Sequence, residues 1–290
     1  MIKICRRTGV ASVEVGRVTG LVCAASSDEL SVEEPLEIRV AAHAAGSAPT
    51  SIAVTMRTPG DDVDLAAGFL FTEGIIAGAA DIHGIRRAGV NAVEAKLRPG
   101  VVPDAARLDR HSFVSSSCGA CGKRSIAAVR VASHHPIIPG VPRLAPEMIH
   151  GLPQALRAGQ SAFARTGGIH ASGLFDVDGR LLALREDVGR HNALDKLIGS
   201  ELLAGRVPLS YGIVLVSGRV SFELVQKAAI AGVPVLGAVG APSSLAVDLA
   251  RECGMTLLGF VRDARFNVYS DSGRIDPAGT LTHTAKGRLA

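Results

Sequence analysis

Aromatic residues are almost missing from this chain. It has no tryptophan, Tyr 2 and an aromatic share of 3%, which argues against the stacking platforms that hold single-stranded nucleic acid. A core made without large rings must come from Ala, Val, Leu and Ile. Cysteine is scarce and odd in number, Cys 5 in 290 residues, so a disulfide framework is not expected and a paired cysteine points to metal binding or thiol reactivity. Blocks of like charge are also absent. Lys+Arg 31 against Asp+Glu 27 gives net +4, with the basic residues scattered, a balance that suits a small anionic ligand better than a nucleic-acid backbone. The most apolar window, 63–80, is broken by Asp64, Glu73 and several glycines, which argues against a membrane span. No apolar stretch follows Met1 to Arg7, so the start does not read as a secretory signal, and a cytoplasmic protein is expected. Neither a P-loop nor a well-placed Gly-x-Gly-x-x-Gly occurs, which removes those two nucleotide-binding modes.

What is present is ordinary globular composition, hydrophobic 47% and charged 20%, enough chain for one large domain or two modest ones. Strands are expected at 36–43, 51–57 and 92–98, with a helix over 63–71 after the turn cluster Pro59-Gly60-Asp61-Asp62. A Pro/His-rich stretch, 134–146, marks a boundary. Beyond it, 171–185 reads as a hairpin with a type I′ turn at Asp178-Gly179. Helices at 192–203, 222–231 and 244–252 then alternate with near-continuous apolar strands at 213–216, 233–239 and 255–261. That rhythm predicts a parallel sheet covered on both faces. The expected division is an α+β region over 1–145, an α/β ligand-binding domain over 146–270 and a polar tail over 271–290.

In such a sheet ligands sit beyond the carboxyl ends of the strands, where loops enter the next helix. Three loops qualify: Ser217-Gly218-Arg219, the segment 237–244 with Gly240 and Pro242, and Arg262-Asp263-Ala264-Arg265. Glycines there would let backbone amides approach a phosphate, and the arginines would hold anionic oxygens. The plainer alternative is turn chemistry, with the arginines solvated or paired with Asp263.

Cys118-Gly119-Ala120-Cys121-Gly122-Lys123-Arg124 is the most chemically pointed segment. Two thiols at Cys-x-x-Cys spacing precede two cations, which favour thiolate, the form that attacks sulfur or binds metal. Structural zinc would need two more ligands, and Cys5, Cys23 and Cys253 stand alone. A thioredoxin-type pair would open a βαβ unit. Zinc deaminases want His-x-Glu upstream and Pro before the first cysteine, whereas Ser117 stands there. Persulfide transfer uses the same nucleophilicity and needs no metal. Further on, Thr166 to His170 and Arg185 to Lys196 concentrate acids, bases and the histidines His170 and His191. They read either as a capped helix start with solvated charges or as part of a site.

Several long motifs resemble the FdhD family, accessory proteins of formate dehydrogenase. They are Met56-Arg57-Thr58-Pro59-Gly60-Asp61-Asp62, Ala66 to Leu70, Ser116 to Gly122, Glu186 to Ala193 with Asp195-Lys196, and Phe260 to Tyr269. Ala41-Ala42-His43 departs from the Asn-Gly often found there. The resemblance implies a sulfurtransferase that takes persulfide sulfur from a cysteine desulfurase. The sulfur goes to the molybdenum of a bis(molybdopterin guanine dinucleotide) cofactor, held as cargo for formate dehydrogenase. It makes Cys118 the persulfide residue and Cys121 its partner. It places the guanine dinucleotide along Phe260, Val261, Arg262, Asp263, Ala264 and Arg265, to which the loop reading adds Ser217, Gly218, Arg219 and Gly240, and the polar cluster adds His191. It further implies a cytidine-deaminase-like α/β domain without that zinc, beside a smaller domain, in a homodimer. A non-catalytic chaperone that only holds the cofactor is the alternative.

Overall fold

The structure, a computed structural model, describes residues 3–5, 9–41, 48–101 and 135–276. Thirteen strands and six α-helices among them form three sheets. A four-stranded sheet in the order β5-β4-β7-β6 uses β4 (Glu34–Ala41), β5 (Thr50–Arg57), β6 (Ile82–Arg87) and β7 (Ala92–Leu97). Only its β4–β7 pair is parallel. Helix α1 (Asp62–Thr72) follows β5. A six-stranded sheet in the order β13-β12-β11-β10-β8-β9 is built from β8 (His170–Phe175), β9 (Leu181–Asp187), β10 (Ile213–Val216), β11 (Val235–Ala238), β12 (Thr256–Arg262) and β13 (Arg265–Ser270). Its helices are α2 (Pro146–Gly159), α3 (Ser161–Thr166), α4 (Arg190–Leu203), α5 (Phe222–Ile230) and α6 (Ser244–Glu252).

The expected parallel unit is present as β10-α5-β11-α6-β12. The sheet as a whole is mixed, because β8, β9 and β13 run antiparallel to their neighbours. Alternation along the strands sorts its two faces. Val214, Val216, Leu236, Ala238 and Leu257 join Leu36, Ile38, Ile52, Val93 and Leu97 of the four-stranded sheet in one core that includes α1, α4 and α5. Ile213, Leu215, Val235, Leu258 and Val261 turn to the other face and meet Ile149, Leu152 and Leu156 of α2. The two halves of the chain thus share one apolar interior.

Helices α1 and α4 cross at backbone distance. A methyl group added to Gly68 would lie 1.9 Å from the Asp195 carbonyl oxygen, and one on Gly199 1.9 Å from that of Asp64. Beside the crossing, buried Lys227 donates to Asp195 Oδ2 at 2.9 Å, Thr72 Oγ1 at 2.9 Å and Glu73 Oε1 at 3.1 Å, tying α5 to both helices. Burial pushes the Asp195 carboxyl above its ordinary range, with Lys227 acting in opposition.

Two expectations about turns are corrected. The β8–β9 connection is not a two-residue type I′ turn, since Gly179 has positive φ and Asp178 does not. Asp176 Oδ1 instead accepts from the amides of Asp178 and Arg180, an Asx arrangement that closes a longer loop. After β12 no helix follows. Asp263 and Ala264, both at φ 53°, form a two-residue turn into β13, with Arg262 paired to Arg265.

The sequence reading assigned no element to a hairpin of two ten-residue strands, β2 (Val10–Thr19) and β3 (Val22–Ser31), with the short β1 (Lys3–Cys5) on its edge. Its base rests on α3 through Val10, Ala162 and Ile169, and through an Arg165–Glu29 ion pair. At the other end of the described chain, Asp271 to Asp276 packs down. Buried Arg274 donates to the carbonyls of Val141, Gly254 and Ile138.

Candidate functional site

The carboxyl ends of β10, β11 and β12 are stitched together through backbone groups. Gly240 N donates to Gly218 O at 3.1 Å and Phe260 N to Gly240 O at 3.0 Å. Gly240 is required by proximity, because a methyl there would lie 3.0 Å from Gly218 O and 3.1 Å from Arg219 N, atoms that cannot rotate away. Its own amide is spent on Gly218. The amides free to meet a ligand are those of Gly218 and Arg219, which make no hydrogen bond among the described residues. The first turn of α5 lies just beyond, and open amides at a helix start favour an anion.

Ser217 anchors this loop to β8, its amide donating to Ala171 O and its Oγ accepting from Ala171 N, both at 2.9 Å. That exchange leaves the hydroxyl proton free to donate. His170 stands against Gly218, where an added methyl would sit 3.2 Å from Nδ1. Burial, with Arg190 nearby, lowers the His170 pKa from 6.5, so the ring is neutral at pH 7. His191 is buried, and its Nε2 lies 3.2 Å from Ser221 Oγ at the start of α5.

Phe260 holds φ 53° at an irregularity of β12. A non-glycine residue there carries local strain that persists only under tight surroundings. Gly259 fits between Tyr269 and Pro242, which an added methyl group would meet at 2.8 and 2.9 Å. Arg262 is half exposed, its guanidinium 5.7 Å from the Phe260 ring centre, within cation–π reach. Asp263, Ala264 and Arg265 are exposed on the turn, while the Val261 side chain is buried in the core facing α2, leaving only its backbone for a ligand. Arg219 is exposed and forms no ion pair among the described residues.

A cavity of about 480 Å³ opens beside this edge, lined by Leu156, Arg157, Gln160, Phe163, Gly168, His170, Val188, Ser217 and Val239 among others. Its size and its few polar groups on apolar walls suit a small-molecule site. Arg157 lies 4.2 Å over the Phe163 ring. Arg157, Gln160, Phe163 and Val188 were not anticipated from sequence, and only their place at the α2–α3 joint and after β9 reveals them.

The charge-rich stretch 185–196 turns out to be a clamp, with its central charges buried. Lys196 Nζ lies 2.8 Å from Asp187 Oδ2 and donates to Thr58 O at 2.8 Å. Asp187 also accepts from the amides of Thr58 and Gly189 and from Asn192 Nδ2. Glu186 accepts from the amides of Ala162 and Phe163, fixing the start of α3 and hence one wall of the cavity. Cys118 and Cys121, with Lys123 and Arg124, lie outside the described residues.

A family model described as the FdhD/NarQ family matches residues 31–276. The chain belongs to that family. Among its relatives, the sulfur carrier protein FdhD of Streptomyces coelicolor is 52% identical over 259 residues, spanning 86% of this chain and 89% of that protein. The sulfur carrier protein FdhD of Mycobacterium tuberculosis is 46% identical over 260 residues, 86% of this chain and 92% of its own. A crystal structure from Desulfotalea psychrophila, described as "a putative formate dehydrogenase accessory protein", superposes with TM-score 0.73 at 26% identity, covering 92% of this chain and 99% of that one. The FdhD/NarQ match begins at residue 31, so most of the β2–β3 hairpin precedes it. Among the described residues no helix is long and apolar enough to cross a membrane.

Proposed function

We propose that this family member is a sulfur carrier for formate dehydrogenase, taking sulfur from a cysteine desulfurase and delivering it to a molybdenum bis(molybdopterin guanine dinucleotide) bound as cargo. The naming of its relatives as sulfur carriers supports the first half. The observation that carries the second is the loop Ser217-Gly218-Arg219, two of whose amides are unspent among the described residues, beside a cavity with a few donor groups on apolar walls. That combination suits a ligand with phosphates and a flat ring system. The phosphates lie on the Gly218 and Arg219 amides and the start of α5, with Arg219, Arg262 and Arg265 supplying charge. A deaminase-like layering and a homodimeric, cytoplasmic protein belong to the same reading.

In the transfer step the Cys118 thiolate attacks the terminal sulfur of the donor persulfide. A new S–S bond forms as the donor's S–S bond breaks, and the donor cysteine leaves as thiolate. Lys123 and Arg124 favour the attacking thiolate. Handing the sulfur on at the sulfide level requires two electrons, which closure of a Cys118–Cys121 disulfide supplies. Incubation with a desulfurase and labelled cysteine is expected to add about 32 Da, one sulfur, to the Cys118 peptide. Cys118→Ala should abolish that adduct and activation of formate dehydrogenase while the protein stays folded. Full activation by Cys118→Ala would leave the protein a cofactor-holding chaperone and end the carrier assignment.

A further inference from the structure

Gln160 sits at the joint where α2 ends and α3 begins, lines the cavity and is 5% exposed. Its Nε2 is buried without a hydrogen-bond partner among the described residues. Such a group is destabilising where it stands, and buried polar atoms are so regularly paired that an exception calls for an explanation. The terminal amide torsion is soft, so rotation about it can present the NH2 to a ligand in the cavity.

The other polar groups there are also able to donate. The Ser217 hydroxyl proton is free because its oxygen already accepts from Ala171 N, and the neutral His170 ring offers one N–H. The remaining walls, Pro153, Leu156, Ile169, Val188 and Val239, are apolar, and Phe163 with Arg157 above it supplies a flat edge. A largely apolar space edged by donors fits a heterocycle that presents a carbonyl oxygen. Ser217 and Val239, which line the cavity, are chain neighbours of Gly218 and Gly240, so the cavity borders the phosphate-facing loop.

We infer that this cavity holds the oxo-heterocyclic end of the ligand, with Gln160 donating to its ring carbonyl and thereby selecting oxo rings over amino rings. The inference rests on the cargo reading above. It adds the recognising residue and the selectivity. Guanine and pterin share the carbonyl edge, whereas adenine carries an amino group at the corresponding position and would set donor against donor.

The test is calorimetric titration of the full chain with GDP, IDP, ADP and pterin, on the wild type and Gln160→Leu. GDP and IDP should bind roughly tenfold or more tightly than ADP, the size of one hydrogen bond gained against one left unmade, and Gln160→Leu should erase that gap while leaving ADP affinity unchanged. Displacement by pterin alone, equally lost in Gln160→Leu, would support the same pocket with the pterin as its occupant. Without ligand, Gln160→Leu should unfold at no lower urea than the wild type, because it removes an unpaired donor and orphans none. A side-chain amide resonance of Gln160 that shifts on adding GDP gives a readout that needs no variant. Equal GDP and ADP affinity, or a guanine preference that survives in Gln160→Leu, would overturn the inference while leaving the cargo reading intact. Failure of every probe to bind would remove both, and the persulfide adduct on Cys118 would still judge the carrier step separately.

Discussion

Replacing Lys196 by methionine removes an ammonium group from the interior and keeps an unbranched chain of similar length. The group removed lies 2.8 Å from Asp187 Oδ2 and reaches Thr58 O at 2.8 Å and Glu186 O at 3.3 Å. Its side chain is 2% exposed and that of Asp187 0%, so water cannot take its place. Removing one partner of a buried pair costs about 3–5 kcal/mol, chiefly because the other charge stays behind. Asp187 keeps three donors, from Thr58 N, Gly189 N and Asn192 Nδ2, and charge-assisted bonds of this kind place the loss near the lower end, about 3 kcal/mol. Against a typical total of about 5–15 kcal/mol the variant still folds. A four-member cycle with Asp187→Asn, followed by urea unfolding, measures the coupling, and the double variant should recover about 1–2 kcal/mol relative to Lys196→Met. Because Val188 N donates to Thr58 Oγ1 and Val188 lines the cavity, Lys196→Met should also weaken GDP binding. A loss under about 1 kcal/mol with additive single effects would show that the pair does not clamp the β9–α4 junction.

Gly68→Ala should destabilise the protein by roughly 3 kcal/mol or more, since its methyl would meet the Asp195 carbonyl oxygen at 1.9 Å and force two helices apart; an unchanged melting temperature would contradict the backbone-distance crossing. Arg219→Ala, at an exposed position without an ion pair among the described residues, should leave stability within about 0.5 kcal/mol. It should lower GDP affinity roughly five- to tenfold and flatten the salt dependence of binding, as titrations at two ionic strengths will show. His170 gives a pH signature. Its folded pKa lies below 6.5 through burial, with Arg190 adding to the effect, so as pH falls through 6.5 the unfolded chain takes the proton first. Its contribution to stability is therefore complete above 6.5 and declines below it, toward the folded value. Urea midpoints measured between about pH 5 and 8 should fall less steeply on acidification in His170→Gln than in the wild type; identical slopes would remove His170 as the cause.

How far the sequence speaks depends on whether a residue's role is local. Strands 213–216 and 255–261 and helix 222–231 were legible because each buries nearly its whole length, so composition alone marks them, and helix 244–252 because it buries only one stripe, Ala246, Leu249 and Ala250, which gives it a helical period. The β2–β3 hairpin was not, since its outer half is exposed on both faces and leaves no one-sided apolar stripe. Strand β13 was hidden by its turn, where Ala264 follows Asp263 into left-handed backbone at a position that sequence rules give to Gly. Helix α2 was masked by Pro146, Gly151 and Pro153, although Pro146 stands at its first turn, where proline fits. At the candidate site, the glycines and arginines of the three strand ends follow from topology, and the rule that places ligands there points to them from sequence alone. Gln160 obeys no such rule. A glutamine between two helices looks like a solvated hinge, and only the tertiary fold buries it to 5% exposure at the cavity wall. Asp187 and Lys196 failed in the opposite sense. Their spacing resembles a capped, solvated helix start, but Thr58, 129 residues before Asp187, supplies the partner atoms, so these charges are spent on architecture.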